Sequence, residues 1–392
     1  MADHGAAPSA IGYLYQTDWA LLELLQAGRV RPDESITLEL HDDVAWEKSG
    51  EPTEVLQLKH HQSRAAGLGD KSPDWWRTLQ VWMDDPRMID QAGPILAIVT
   101  TSVAAPDSAA GLLSGPNRDV KRALSQLDAA AADASSKSTR VARDKWRALS
   151  AASRLGLVAR IRVLDGSVRV TDVEAAVAQE LKWGLPKGQE PTYLSLVWRW
   201  WHTVSLDMLA RRRRAVSVIE SEQELSRIRD MFASDNLPTL VQLSDVDEDD
   251  LVGIHDAYPF VEQLRWVRVP TKNLRKSIVD YYRAVTQETT WVDRSMIGLS
   301  EIQTFADNLK DEWERCFEDM TDELDGDLDE RVREQAGLAL FKKLRDSTTV
   351  AVRARYNDPF YARGKRHELA NIGDIGWHPD FEDRLKKLVL GS

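Results

Sequence analysis

Cysteine is almost missing from this chain: Cys316 stands alone in 392 residues, so no internal disulfide can form. Long apolar runs are equally scarce. Nothing approaches the ~20 apolar residues of a membrane helix, and the most apolar short run, residues 95–99 (ILAIV), has the length of a strand. The opening MADHGAAPSA has neither the basic nor the apolar region of a secretory leader, so a cytoplasmic protein without membrane association is expected. Positive charge is in short supply too. Against 63 Asp and Glu there are 51 Lys and Arg, a net charge of −12, which argues against a nucleic-acid binder working by bulk attraction. With 43% hydrophobic and 29% charged residues, 21 Gly and 15 Pro, the composition excludes collagen-like, low-complexity and disordered classes. At ~100–200 residues per domain, the length favours two domains.

The charge is unevenly spread. Lys and Arg against Asp and Glu number 8 against 16 over residues 1–105, 14 against 10 over 106–190, and 29 against 37 over 191–392. Only the middle stretch is net positive, and residues 118–169 hold 12 basic and 5 acidic side chains. If these fall on one face they can neutralise several phosphates; Arg118, Lys121, Arg122, Arg140, Arg143 and Lys145 are the candidate DNA contacts. A solvated helical surface is the plainer alternative.

Ile11 to Ala27 has helical spacing and ends at Gly28. Ser35 to Ala45 alternates as one half-buried strand, with Thr37, Glu39, His41 and Asp43 on its polar side. The polar link 47–53 predicts a turn, and Glu54 to His60 a second strand. Asp74 to Met88 reads as a helix and Ile95 to Val103 as a third, buried strand, giving the order α-β-β-α-β. Residues 107–157 read as a helical insertion, followed by a short hairpin over 158–165 and 167–170. Composition turns from Ala-rich to Trp-rich after residues 187–191 (KGQEP), which places a domain junction near residue 190. Beyond it, 193–209, 221–234, 274–286, 300–317 and 328–347 read as helices.

The informative residues are Asp43 and Gln57-Leu58-Lys59. A period of two puts Gln57 and Lys59 on one face of a strand while Leu58 anchors the other. Asp43 and the Gln57 side-chain oxygen can bind a hard cation, Mg²⁺ with Mn²⁺ as a substitute. The metal polarises a phosphoryl oxygen and lowers the pKa of a bound water, and Lys59 holds the nucleophile or offsets transition-state charge. Glu39, in phase with Asp43, is a candidate second carboxylate. Strand phase favours Asp43 over Asp42 as the ligand; a bulge would swap them.

A helix, an acidic strand end, a turn and a strand with (E/Q)-x-K resemble the PD-(D/E)xK restriction-endonuclease-like superfamily. The stretches 12–16 (GYLYQ), 38–44 (LELHDDV) and 56–60 (LQLKH) look like the double-stranded-DNA endonuclease domain at the N-terminus of antiphage effectors, including those of CBASS-type systems. That resemblance implies an α/β nuclease-like domain over 1–190, a mixed sheet flanked by helices. Residue by residue it makes Asp43 the metal-binding Asp, Gln57 the Glu/Gln ligand, Lys59 the catalytic lysine and Gln16 the supporting Gln of the first helix.

In the C-terminal half, residues 198–201 (WRWW), 211–214 (RRRR), 236–238 (NLP), 281–284 (YYRA), Trp291, Glu312-Trp313, 364–367 (GKRH) and 376–379 (GWHP) resemble the C-terminal domain of ABC-three component antiphage effectors. This implies a mostly α-helical docking domain over 191–392 and two partners, an SMC- or RecN-like ABC ATPase and a small middle component. The expectation is thus a metal-dependent DNA endonuclease effector. Its rivals are a nuclease-like adaptor without catalysis and an RNase with the same site, and self-association into a homo-oligomer is left open.

Other residues invite plainer readings. His60 and His61 can be ligands or exposed strand-end residues. His367 and His378 fit no zinc spacing and read as structural. Trp200, Trp201, Trp313 and Trp377 read as packing or docking residues. Arg211 to Arg214 end a helix, where cations favour the dipole, or grip phosphate. Asp245 to Asp250 lack EF-hand spacing.

Overall fold

The computed structural model describes residues 7–59, 68–133, 137–324 and 329–390. It divides into two compact units, 1–228 and 229–392.

The first unit opens with α1 (Ala7–Ala27), followed by β1 (Ser35–Leu38), β2 (Val44–Lys48) and β3 (Glu51–Lys59). Next come α2 (Pro73–Asp84), α3 (Pro86–Ile89) and β4 (Ile95–Thr100). Four helices, α4 (Ala109–Leu112), α5 (Val120–Ala132), α6 (Arg140–Ala148) and α7 (Ala151–Arg160), lead to β5 (Ile161–Leu164). The unit closes with α8 (Val173–Leu181), α9 (Glu190–Leu209), β6 (Val216–Ser217) and most of α10 (Val218–Asp230).

The six strands form one mixed sheet in the order β5-β4-β3-β2-β1-β6. β3, β4 and β5 are parallel; the pairs β3–β2, β2–β1 and β1–β6 are antiparallel. The expected mixed sheet flanked by helices is therefore present. Ala45, Val55, Leu96, Ile98, Ile161 and Val163 share a core with Trp75, Trp76, Trp82 and Trp146 of the helices. Trp76 and Trp146 meet edge-on at 6.1 Å, a favourable arrangement for aromatic rings. On the α1 side, Trp46 Nε1 donates to Glu23 Oε1 at 3.0 Å.

Three expectations are corrected. The alternating run 35–45 is not one strand: β1 stops at Leu38, Glu39 takes φ +54°, and β2 starts at Val44. A β2–β3 hairpin then turns at Ser49 and Gly50, whose φ values of +54° and +87° suit a tight two-residue turn. The hairpin expected after residue 158 is absent among the described residues, because α7 runs to Arg160 and β5 joins the sheet parallel to β4. The junction falls at 228/229 rather than near 190. Trp201 of α9 is fully buried with Nε1 donating to Thr17 O at 2.7 Å, and β6 pairs with β1, so both belong with the sheet.

The second unit is helical: α11 (Glu248–His255), α12 (Pro259–Trp266), α13 (Thr271–Asp293), α14 (Leu299–Asp322), α15 (Glu330–Arg345), α16 (Pro359–Ile372) and α17 (Phe381–Leu390). Its core joins Phe260, Leu264, Ile278, Trp291, Phe305, Leu309, Phe341, Tyr361 and Trp377. No helix among the described residues is long and apolar enough to cross a membrane.

Candidate active site

The antiparallel meander makes β1 parallel to β3, so the C-terminal ends of β1, β3 and β4 reach the same edge of the sheet, where open α/β sheets place their ligands. The loop 39–43 and the end of β3 meet there. In the β2–β3 register Val44 pairs with Leu56; one step further, Asp43 stands opposite Gln57. Leu58 N donates to Asp43 Oδ2 at 2.7 Å and Gln57 Nε2 donates to the same oxygen. Gln57 and Lys59 pair with Ile98 and Thr100 of β4, two residues apart and therefore on one face, as the spacing predicts.

Gln16, buried on α1, donates through Nε2 to Glu39 Oε1 at 2.9 Å and to the Asp43 carbonyl at 2.6 Å. Glu39 and Asp43 are thus gathered by a loop and by Gln16, not by strand phase; Glu39 N donates to Asp43 O at 3.1 Å to close that loop. The neighbouring aspartates take different partners. Asp43 turns toward Gln57, whereas Asp42 accepts from Trp82 Nε1 at 2.9 Å and from Asp43 N at 3.0 Å.

Burial pushes both carboxyls above the usual range. For Asp43, desolvation and then the Asp42 charge raise the pKa to about 6, opposed by the Leu58 N–H, Lys59 and Gln57. Asp42 is raised chiefly by burial, with Trp82, the Asp43 N–H and Lys59 acting in the other direction. Neither aspartate has an ion-paired cation among the described residues. Lys59 is half-buried and has no hydrogen-bond partner among them.

Arg211 was legible only as part of a basic run. In the structure its guanidinium donates to the Glu39 carbonyl beside the site, and it takes φ +59°. Arg212 pairs with Asp207, Arg213 with Glu220, and Arg214 with Glu47 at 3.0 Å, so these cations fasten the loops. His60 and His61 lie outside the described residues.

The six candidate DNA contacts differ in exposure and in pairing. Arg143 is 5% exposed and sits inside the unit, where a phosphate cannot reach it. Arg118 donates to the carbonyls of Ala159 and Ile161. Arg122 pairs with Asp107 at 2.8 Å and Lys145 with Asp84. Lys121 and Arg140 are exposed.

In the second unit the GKRH segment lies on α16 with its charges buried and paired: Lys365 with Glu288 at 2.9 Å and Arg366 with Glu312. Trp313 Nε1 donates to Gly376 O at 2.7 Å. These motif residues build the core. His378 is fully buried beside Glu330 and Asp380, but those carboxylates already pair with Arg384 and Arg333. Asp247 of the acidic run caps α11 through the N–H groups of Asp249 and Asp250.

Residues 260–385 match the family model of C-terminal domain 7 of the ABC-three component (ABC-3C) systems. This segment, from α12 into α17, is similar to the C-terminal domains of those systems, which supports the C-terminal part of the resemblance and connects the chain with antiphage defence and with partner components. No curated protein and no solved structure matches the chain.

Proposed function

We propose that this chain is a metal-dependent DNA endonuclease effector of an antiphage defence system, with its phosphodiester-cleaving site at Asp43, Gln57 and Lys59. The observation that supports the reading is the meeting of Asp43 and Gln57 across two strands at the carboxyl edge of the sheet, with Lys59 on the same face. The donor set fits Mg²⁺ or Mn²⁺: hard oxygens, in a place where two crowded carboxylates lack a paired cation. Asp43 and the Gln57 amide oxygen would hold it, with Glu39 as a further carboxylate. Bound there, the metal supplies Lewis acidity to a phosphoryl oxygen and to the attacking water. Lys59 offsets the negative charge that grows on the phosphate. Gln16 keeps Glu39 and the Asp43 backbone in position.

Double-stranded DNA is the substrate in this reading. The chain's net charge of −12 makes its own grip weak, so Lys121 and Arg140 share the task with an ABC ATPase and a small middle component. Arg122 and Lys145 can join them, since exposed ion pairs are worth only ~0–1 kcal/mol and exchange readily for phosphate.

The rival reading, an adaptor without catalysis, draws on one observation: Asp43 Oδ2 already accepts both Gln57 Nε2 and Leu58 N, a lock that joins the strands without any metal. Calorimetric titration of the full chain with Mg²⁺ separates the two. The expected result is one saturable site that Asp43→Asn removes; absence of a carboxylate-dependent site in the wild type favours the adaptor.

A further inference from the structure

Three of the four arginines in the run 211–214 are neutralised within the fold. Arg212 pairs with Asp207 at 2.8 Å, Arg213 with Glu220 and Arg214 with Glu47 at 3.0 Å. Arg211 differs. It is exposed and has no carboxylate partner among the described residues, and its side chain makes a single hydrogen bond, from Nη2 to the Glu39 carbonyl. A guanidinium carries five N–H donors and a carbonyl carries no net charge. This contact therefore fixes where the head group sits, while the charge and the other donors stay free.

The backbone at both ends of the contact takes an uncommon conformation. Among the described residues five non-glycine residues lie in the left-handed region, and two of them, Glu39 at φ +54° and Arg211 at φ +59°, are the two ends of this hydrogen bond. Such conformations persist where the surroundings over-determine them, and they gather at functional sites. Here the surroundings do so on each side. Where α9 ends, Arg211 N donates to Met208 O at 3.0 Å, and Arg212 N and Arg213 N both donate to Asp207 O, at 2.9 and 3.1 Å. Glu39 N donates to Asp43 O at 3.1 Å, and Glu39 Oε1 accepts from Gln16. A single residue, Glu39, thus joins the Arg211 head group to Asp43.

Electrostatics give this cation a use. Glu39, Asp42 and Asp43 place three carboxylates at the edge of the sheet with Lys59 beside them. A divalent cation and Lys59 would balance those carboxylates and leave no positive charge over to attract the neighbouring stretch of a polyanion. Arg211 supplies it, and the arginine fork matches a phosphate in two-point contact. We propose that Arg211 is a substrate-positioning residue that grips a backbone phosphate of duplex DNA beside the scissile one, while its anchor on Glu39 keeps that grip in register with Asp43. The proposal rests on the nuclease reading, from which it takes its substrate.

The test measures binding rather than cleavage: fluorescence anisotropy of a labelled DNA duplex titrated with the full chain in Ca²⁺ over a range of NaCl, for wild type, Arg211→Ala and Arg211→Lys, with thermal unfolding to show that the variants fold. Arg211→Ala is expected to bind roughly tenfold more weakly, since a hydrogen bond to a charged group is worth a factor of that order. The slope of log affinity against log salt should fall in magnitude by about 0.9, the counterion release of one phosphate. Arg211→Lys, which keeps the charge, should restore the slope. Binding and slope unchanged in Arg211→Ala overturn the proposal, as does a wild type that binds no duplex at low salt. Weaker binding with an unchanged slope overturns it as well, and leaves Arg211 only the task of holding the Glu39 loop. Failure of the nuclease reading has a different signature: duplex bound with the expected dependence on Arg211, yet plasmid never cut.

Discussion

Gln16 carries more of the candidate site than its place on a first helix would suggest. Its one side-chain nitrogen serves Glu39 Oε1 and the Asp43 carbonyl together, and it is buried while doing so. Removing it leaves those acceptors short of a donor, which costs about 1–3 kcal/mol. Gln16→Ala should lower stability by that amount in urea unfolding and weaken Mg²⁺ binding, while an exposed substitution such as Ser125→Ala should change neither. At this scale the shared face of Gln57 and Lys59 was readable, because two residues of strand spacing fix it, whereas Asp43 was reached through a strand phase that the loop 39–43 replaces. The contacts of Trp82 with Asp42 and of Arg211 with Glu39 were not readable. They join positions 40 and 172 residues apart, and no local pattern encodes such pairings.

Elements were legible where periodicity is strong and misread where burial is two-sided. β2 is buried at Val44, Ala45, Trp46 and Glu47 in succession, so it shows no alternation, and it merged with β1 into one apparent strand. The left-handed Glu39 that ends β1 carries no glycine to announce it. β5 has the alternation of a strand, but its partner is β4 rather than its sequence neighbour. The long helices of the second unit, free of breakers, were visible; their packing was not. Gly364 illustrates this, since a methyl group there meets Asp280 O at 2.1 Å and Ala284 Cβ at 2.5 Å. Gly364→Ala should therefore force α16 off α13 and destabilise the unit by about 1–3 kcal/mol or more. Gly253, with nothing within 4 Å of its notional Cβ, is the control: Gly253→Ala in α11 should be neutral or stabilise by about 0.4–1 kcal/mol. Calorimetric unfolding of the two variants checks both.

For the whole molecule, composition marked the α9 boundary but not its allegiance. The Trp-rich stretch that begins near residue 190 is a helix of the first unit, with Trp201 sealed against α1 through Thr17, so the sheet-bearing unit extends to residue 228. The segment 260–385 lies wholly in the other unit and is the part that matches an ABC-3C C-terminal domain. In the proposed nuclease reading the site lies in the first unit, and the ABC-3C-like segment of the second is where partner components would dock and bring DNA to an acidic chain. The most direct measurement is cleavage of supercoiled plasmid by the full chain with and without Mg²⁺ and with the proteins encoded beside it, comparing wild type with Asp43→Ala and Lys59→Ala. Metal-dependent nicking or linearisation that both substitutions abolish is the expected result; plasmid left intact by the wild type under every condition, or cut equally by both variants, contradicts the assignment of a DNA endonuclease site to these residues.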